Sequence, residues 1–246
     1  MPGYQIKQEQ VEISGADELT IRSLLDRQQF SDPVGEAAGL GISSAMWPMF
    51  GLVWPSGARL AAHMAQHPVS AGERILELGC GLALPSLVSH RRGADVTASD
   101  CHPLAAGFLQ FNLGLNQLRP MKYLHGHWSQ PGSLLQANGA SAIDRVRGRY
   151  DLIIGSDLLY DQDGSVALAG FIGRHATPLA QVWIVDPDRG NRPAFNRHMS
   201  ALGYEVSEQR MDRPATLNAL AYKGRLLTYR RTGSHVLGAR TDQQKP

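Results

Sequence analysis

The sequence is short of several things, and each shortage narrows what the protein is. It has two cysteines in 246 residues, Cys80 and Cys101. They form no Cys-x-x-Cys pair and no Cys/His zinc spacing, so two thiols in a reducing compartment are the simpler reading. No run is long and apolar enough to span a bilayer, so no membrane partner is expected. The start, Met1-Pro-Gly-Tyr-Gln-Ile-Lys7, lacks the apolar centre of a signal peptide, and the expected location is cytoplasmic. A net charge of +2 is too small to argue for a nucleic-acid partner, although the stretch from Tyr229 is basic. The nine histidines offer no convincing metal set: His63 and His67 share a predicted helix but lack a third ligand and a supporting acid. No metal is expected, and no internal repeat is visible.

What is present is ordinary for a globular chain. Hydrophobic residues make up 43% and charged residues 19%, and the length suits one domain with a substantial core. Residues 1–45 read as an N-terminal extension. In it the alternating runs Tyr4–Ile13 and Leu19–Leu25 suggest a hairpin, and the Gly-rich segment Ser31–Ser44 suggests a mobile loop. Trp47 and Trp54, each followed by proline, bracket a stiff turn, and Ser56 is placed to cap a helix carrying Leu60, Ala61 and Met64. From Arg74 strands and helices alternate through residue 232. The strands are Arg74–Leu78, Ala94–Ser99, a weak one at Met121–Leu124, Tyr150–Ile154 and Gln181–Val185. A helix at Leu84–Val88 follows the first strand. Pro103 opens another with Leu104, Phe108, Phe111 and Leu115 as its apolar stripe, and a third spans Pro193–Leu202. Such alternation implies an α/β, doubly wound, Rossmann-like parallel sheet. The last strands, Tyr204–Gln209 and Arg225–Arg231, have no convincing helix between them and suit an antiparallel edge. Residues 233–246 read as a polar tail.

The first of these strands runs into Gly79-Cys80-Gly81. Glycines there allow a tight turn and close approach of a ligand, and the following helix start offers free N–H groups. Leu84 stands where a dinucleotide fingerprint needs its third glycine, and no Walker lysine is present. Glu77, two residues before the loop, would oppose a phosphate but suits a cationic cofactor. Asp100 ends the second strand, where a carboxylate either accepts both ribose hydroxyls or caps the turn before Pro103.

Glu77-Leu-Gly-Cys-Gly81 with Asp100 resembles motifs I and II of the class I, seven-strand methyltransferases that use S-adenosyl-L-methionine (SAM). The resemblance covers about Trp47 to Arg231. It implies a seven-stranded sheet of order 3-2-1-4-5-7-6 with strand 7 antiparallel, and SAM as cofactor. The implied cofactor site comprises Trp54, Glu77, Gly79, Cys80, Gly81, Asp100, Cys101, Trp128 and Ser156. Trp128, after the third strand, either stacks on adenine or is simply packed.

The fourth strand leads into Gly155-Ser-Asp-Leu-Leu-Tyr160. Asp157 and Tyr160 are three apart, so one helical turn would put both on one side. Asp157-x-x-Tyr160 resembles the signature of the seven-strand protein-lysine methyltransferases, as does Trp54-Pro-Ser-Gly57. The segment Asp186-Pro-Asp-Arg-Gly-Asn-Arg-Pro-Ala-Phe195 is similar to one in the branch acting on the electron-transfer flavoprotein beta subunit. The resemblance implies Asp157 and Tyr160 as catalytic residues and a protein partner presenting a lysine. Asp157 would hold the amine in line and Tyr160 would add a hydrogen bond or a ring face; Asp157 otherwise reads as a cap. Asp161 and Asp163 read as solvated rim acids, or as an attraction for a basic peptide. A small-molecule N- or O-methyltransferase and a non-catalytic SAM-binding regulator are the competing functions.

Overall fold

The computed structural model describes residues 3–128, 145–160, 164–215 and 221–231. The expected tail from 233, and Asp161 and Asp163, lie outside these residues. The chain opens with β1 (Ile6–Val11) and β2 (Leu19–Leu24), paired antiparallel. The Gly-rich stretch after them holds a short helix, α1 (Glu36–Gly39), its turn closed by Asp32, whose carboxylate accepts the Ala37 and Ala38 N–H groups. A 3-10 turn over Trp47–Gly51 leads to α2 (Pro55–Gln66). There follow β3 (Arg74–Leu78), α3 (Leu84–Arg91), β4 (Asp95–Asp100), α4 (Ala105–Leu115), β5 (Lys122–His125) and β6 (Tyr150–Ser156). The remainder is α5 (Gly164–His175), β7 (Ala176–Asp186), α6 (Arg192–Ala201), β8 (Tyr204–Arg210) and β9 (Arg225–Arg231).

The large sheet has the order β5-β4-β3-β6-β7-β9-β8. Six strands point the same way, and β9 lies antiparallel between β7 and β8. Counted from β3 this is the expected 3-2-1-4-5-7-6 order. The central strands bury both faces, and their alternation sorts side chains into two cores. Leu76, Ile153, Val182 and Ile184 pack with Phe195 and Met199 of α6. Ile75, Leu152, Ile154, Trp183 and Val185 pack with Leu60 and Met64 of α2. Strand order reverses between β3 and β6, where an open α/β sheet presents a crevice at its C-terminal edge.

Two local expectations are corrected, and one element is new. Ser56 does not cap α2: the helix starts at Pro55, whose missing N–H costs nothing there, and buried Ser56 hydrogen-bonds the Tyr222 hydroxyl at 3.0 Å. Phe111 is not on the buried face of α4. It is exposed beneath the Arg22 guanidinium, 4.4 Å from its ring centre, while Phe108, Leu109 and Asn112 face the core. Helix α5 was not anticipated, because Gly164, Gly170 and Gly173 dilute its apolar pattern; Leu168, Phe171 and Ile172 nonetheless bury it against the sheet.

Asn112 is buried because it completes β2. Its Oδ1 accepts the Arg22 N–H at 2.8 Å and its Nδ2 donates to the Arg22 carbonyl. One turn on, Asn116 does the same for Thr20. Two asparagines at i and i+4 thus act as a third strand on the free edge of the hairpin. Asn112→Leu would strand a buried donor and acceptor, and a destabilisation of about 1–3 kcal/mol is expected. Urea unfolding measures it; an unchanged midpoint would show the edge to be satisfied by water instead.

Candidate active site

The loop between β3 and α3 is the floor of the site. Gly79, Gly81 and Ala83 all take left-handed backbone, with φ of 55°, 51° and 60°. A Cβ on Gly81 would lie 2.8 Å from the Phe50 carbonyl oxygen, which is backbone and cannot give way, and one on Gly79 would lie 2.6 Å from the Leu158 side chain, which would have to move. The helix beyond has no side-chain cap of its own. Glu77 supplies the acceptor: buried under the loop, its Oε2 takes the Ser86 N–H at 2.9 Å and the Ser86 hydroxyl. Burial pushes the Glu77 carboxyl up to about 8 against the pull of those Ser86 donors, and the nearby Asp100 adds to the rise.

Asp100 holds the same loop from the other side. Its Oδ2 accepts the Gly81 N–H and its Oδ1 the His102 N–H, both at 2.8 Å. It is therefore a turn-binding acid, yet each oxygen keeps a further lone pair, and the residue lines the cavity above the loop. Burial raises its pKa too, against the His102 and Gly81 N–H groups. The His102 ring stacks on Phe50 with centroids 3.7 Å apart. Trp128 stands over Gly79: its ring is the second neighbour, at 3.4 Å, that a Cβ there would meet.

The far end is built by β6 and β7. Ser156 closes β6, and Asp157 follows with φ 61°, its N–H bound to the Val185 carbonyl. The expected helical turn over Asp157–Tyr160 is thus absent: a left-handed residue, tolerated by aspartate, breaks it. The Asp157 carboxylate pairs with Arg189, Nε to Oδ1 at 2.8 Å and Nη2 to Oδ2 at 2.9 Å. Burial raises the Asp157 pKa and Arg189 opposes the rise. The roof comes from the N-terminal segments. Leu40 is tied through its carbonyl to His127 at 3.0 Å, and Trp54 donates its indole N–H to the Met49 carbonyl.

One cavity of about 590 Å³ joins these parts, a size suited to a small-molecule ligand. Trp54, Glu77, Gly79, Cys80, Gly81, Asp100, Cys101, Trp128, Ser156, Asp157 and Tyr160 all line it. Sequence reasoning missed His102 and Arg189. The first follows Asp100 by two positions. The second was visible only as part of a segment resembling one in a related branch. Among the described residues no cluster of His, Cys, Asp or Glu suits a metal, and no helix is long and apolar enough to cross a membrane. His63 and His67 instead edge onto the Trp183 ring, at 4.8 and 4.9 Å.

The sheet order and the site at its reversal point define the class I methyltransferase fold. A T. thermophilus 16S rRNA methyltransferase in complex with AdoMet and guanosine shares it at a TM-score of 0.53 and 19% identity, over 93% of this chain and 51% of that one. By sequence, the chain is similar to enzymes named for protein methylation. The electron transfer flavoprotein beta subunit lysine methyltransferase of Danio rerio is 30% identical over 148 residues, 58% of this chain and 51% of that protein. The EEF1A lysine methyltransferase 3 of Mus musculus is 23% identical over 187 residues, 74% of this chain and 75% of that protein. The chain thus spans about half the length of the flavoprotein-subunit enzyme it matches. No family model matches it.

The raised Glu77 has a consequence for stability. From its ordinary 4.5 up to about 8 the folded state binds this proton more tightly than the unfolded chain. Its contribution is therefore fully present below the lower value and is lost as pH rises through the upper one. Glu77→Gln removes that proton, so the variant's melting temperature should fall less than the wild type's between about pH 5 and about pH 8. Parallel melting curves across that range would place the Glu77 pKa near normal.

Proposed function

We propose that this chain is a SAM-dependent methyltransferase whose acceptor is a lysine side chain of a protein. The observation that carries the reading is the single cavity joining the Gly79–Gly81 loop and Asp100 to Asp157 and Tyr160. The residues present fit the cofactor. Gly79 and Gly81 line the cavity with bare backbone, which a ligand can approach closely. Two buried acids, Glu77 and Asp100, sit in its floor, and a cation beside them would favour their ionised forms where a pyrophosphate would oppose them. Asp100 retains acceptor capacity for ribose hydroxyls, and Trp128 and the Phe50–His102 stack offer aromatic faces. When bound, SAM supplies a methyl group on a sulfonium, ready for in-line displacement.

The chain's own residues supply position rather than strong acid or base. A lysine ammonium, with a free pKa of about 10.4, must release a proton to solvent before its lone pair can form the N–CH3 bond as the S–CH3 bond breaks and the neutral thioether leaves. Asp157, largely desolvated at the end of β6, accepts hydrogen bonds from the amine and fixes its direction. Tyr160 at the cavity mouth lies against the incoming side chain. The apolar roof at Leu40, Ile42 and Phe50 excludes water, which strengthens the Asp157 contact. Sequence similarity to two lysine methyltransferases supports the acceptor type.

The reading is tested by incubating cell lysate with the protein and radiolabelled SAM, then separating proteins from small molecules. A labelled protein band that releases methyl-lysine on hydrolysis is expected. A labelled small molecule would move the acceptor to that class, and no label would remove the enzyme assignment. Asp157→Asn should leave SAM binding intact and cut single-turnover rate by about 10- to 100-fold, the size of one lost positioning contact. A wild-type single-turnover rate in this variant would deny Asp157 its role.

A further inference from the structure

The contact that the proposed chemistry does not use is the one between Asp157 and Arg189. Arg189 lies in the loop after β7, between two left-handed residues, Asp188 at φ 59° and Gly190 at φ 92°. The loop is anchored on both flanks. Asp188 accepts from Arg192, Arg210 and Arg225 at 2.8, 2.7 and 3.1 Å. Asn191 donates to the Leu159 carbonyl at 3.0 Å, which ties this loop to the segment between Asp157 and Tyr160. The arginines around it are engaged by acids outside the cavity, whereas Arg189 lines the cavity beside Asp157 and Tyr160.

The two partners of the pair are unequally committed. The Asp157 side chain is 13% exposed and fixed by its backbone turn; that of Arg189 is 43% exposed on a long flexible stem. Separating them leaves a guanidinium that water solvates and a carboxylate that it does not. Asp157 therefore needs a replacement cation whenever Arg189 departs, since an unpaired buried charge is costly. A side chain ending in an ammonium meets that need; a hydroxyl or neutral amide does not.

Resting on the lysine reading above, we infer that Arg189 is an internal occupant of the acceptor site, a specificity-determining residue that yields its place on Asp157 only to a cationic side chain. The exchange keeps Asp157 paired throughout, so a cationic acceptor gains access at small cost and a neutral acceptor meets the whole penalty of an orphaned carboxylate. Arg189 thereby acts on binding of the acceptor before any proton is lost.

The experiment uses the full chain and n-butylammonium chloride as the probe, with n-butanol as its neutral isostere, followed by NMR of the Asp157 amide. Arg189→Gln should bind n-butylammonium about tenfold more tightly than wild type, the range of one charge-assisted contact. n-Butanol should bind Arg189→Gln more tightly than wild type too, since no pair is left for it to break, while staying weaker than n-butylammonium; Asp157→Asn should abolish the ammonium response. Arg189→Lys, which restores a competing cation, should return most of the wild-type weakness. Equal or weaker ammonium binding in Arg189→Gln would overturn the inference. In the wild type, the Arg189 Nε–H resonance should shift as n-butylammonium saturates the site; a resonance unmoved at saturation would overturn it without any variant. A separate thermal shift with S-adenosylhomocysteine tests the cofactor reading. Its absence would sink the methyltransferase assignment while the ammonium competition still reported on Arg189.

Discussion

The buried carboxylate of Glu77, holding the start of α3, is the contact on which the site depends. It sits where strand, loop and helix meet. The loop beyond it passes through left-handed backbone at Gly79, Gly81 and Ala83, a path that an untethered chain would not keep. Glu77 fixes the far end of that path at Ser86, and Asp100 fixes its middle at Gly81. The floor of the cavity is thus made by two acids pulling one loop from opposite sides. The arrangement costs desolvation of both, and that cost explains what the floor is suited to hold. A phosphate would make ionising either acid costlier still; a cation would favour their charged forms and lower the cost of their burial.

The opposite end is organised on another principle. Nothing there resembles the tethered floor: Asp157 is fixed, but its partner comes from a neighbouring loop on a flexible stem. The rigid part of that loop is the Asp188 cluster with Arg192, Arg210 and Arg225. Networks of this kind position backbone more than they stabilise the fold, since exposed ion pairs contribute little individually. One end of the cavity is therefore built to hold its shape and the other to exchange partners.

The sequence made the floor legible because its chemistry is contiguous. Glu77, Gly79 and Gly81 lie within five positions of one another, and a strand running into glycines before a helix has a local physical meaning. Asp100 was found by the same logic, one strand further on. Strand periodicity carried most of the sheet, but the order of its strands came from resemblance, since alternation alone leaves several topologies open. What was missed depends on distant partners. Phe111 fits the apolar stripe of α4 and is kept outside by Arg22 of another element. Ser56 has the chemistry of a cap and spends it on Tyr222, 166 positions away. Arg189 meets Asp157 across 32 positions, and no spacing rule connects them.

Sheet geometry accounts for the two ends sharing one cavity. In the register of β3 with β6, Leu78 lies opposite Gly155, so the first loop residue, Gly79, and the first residues after β6 start from adjacent strand ends. Neighbouring strands are about 4.8 Å apart, and the reversal of strand order at this pair leaves no crossing helix between them. The distance from the floor to the Asp157 end is therefore set by backbone hydrogen bonds and not by side-chain packing. Changes in the loops after β6 and β7 alter what approaches the cavity while the floor stays where β3 and β4 put it. On the proposed reading, that separation lets one scaffold keep a single cofactor geometry and vary its acceptor, with Asp157, Tyr160 and Arg189 among the residues free to specialise.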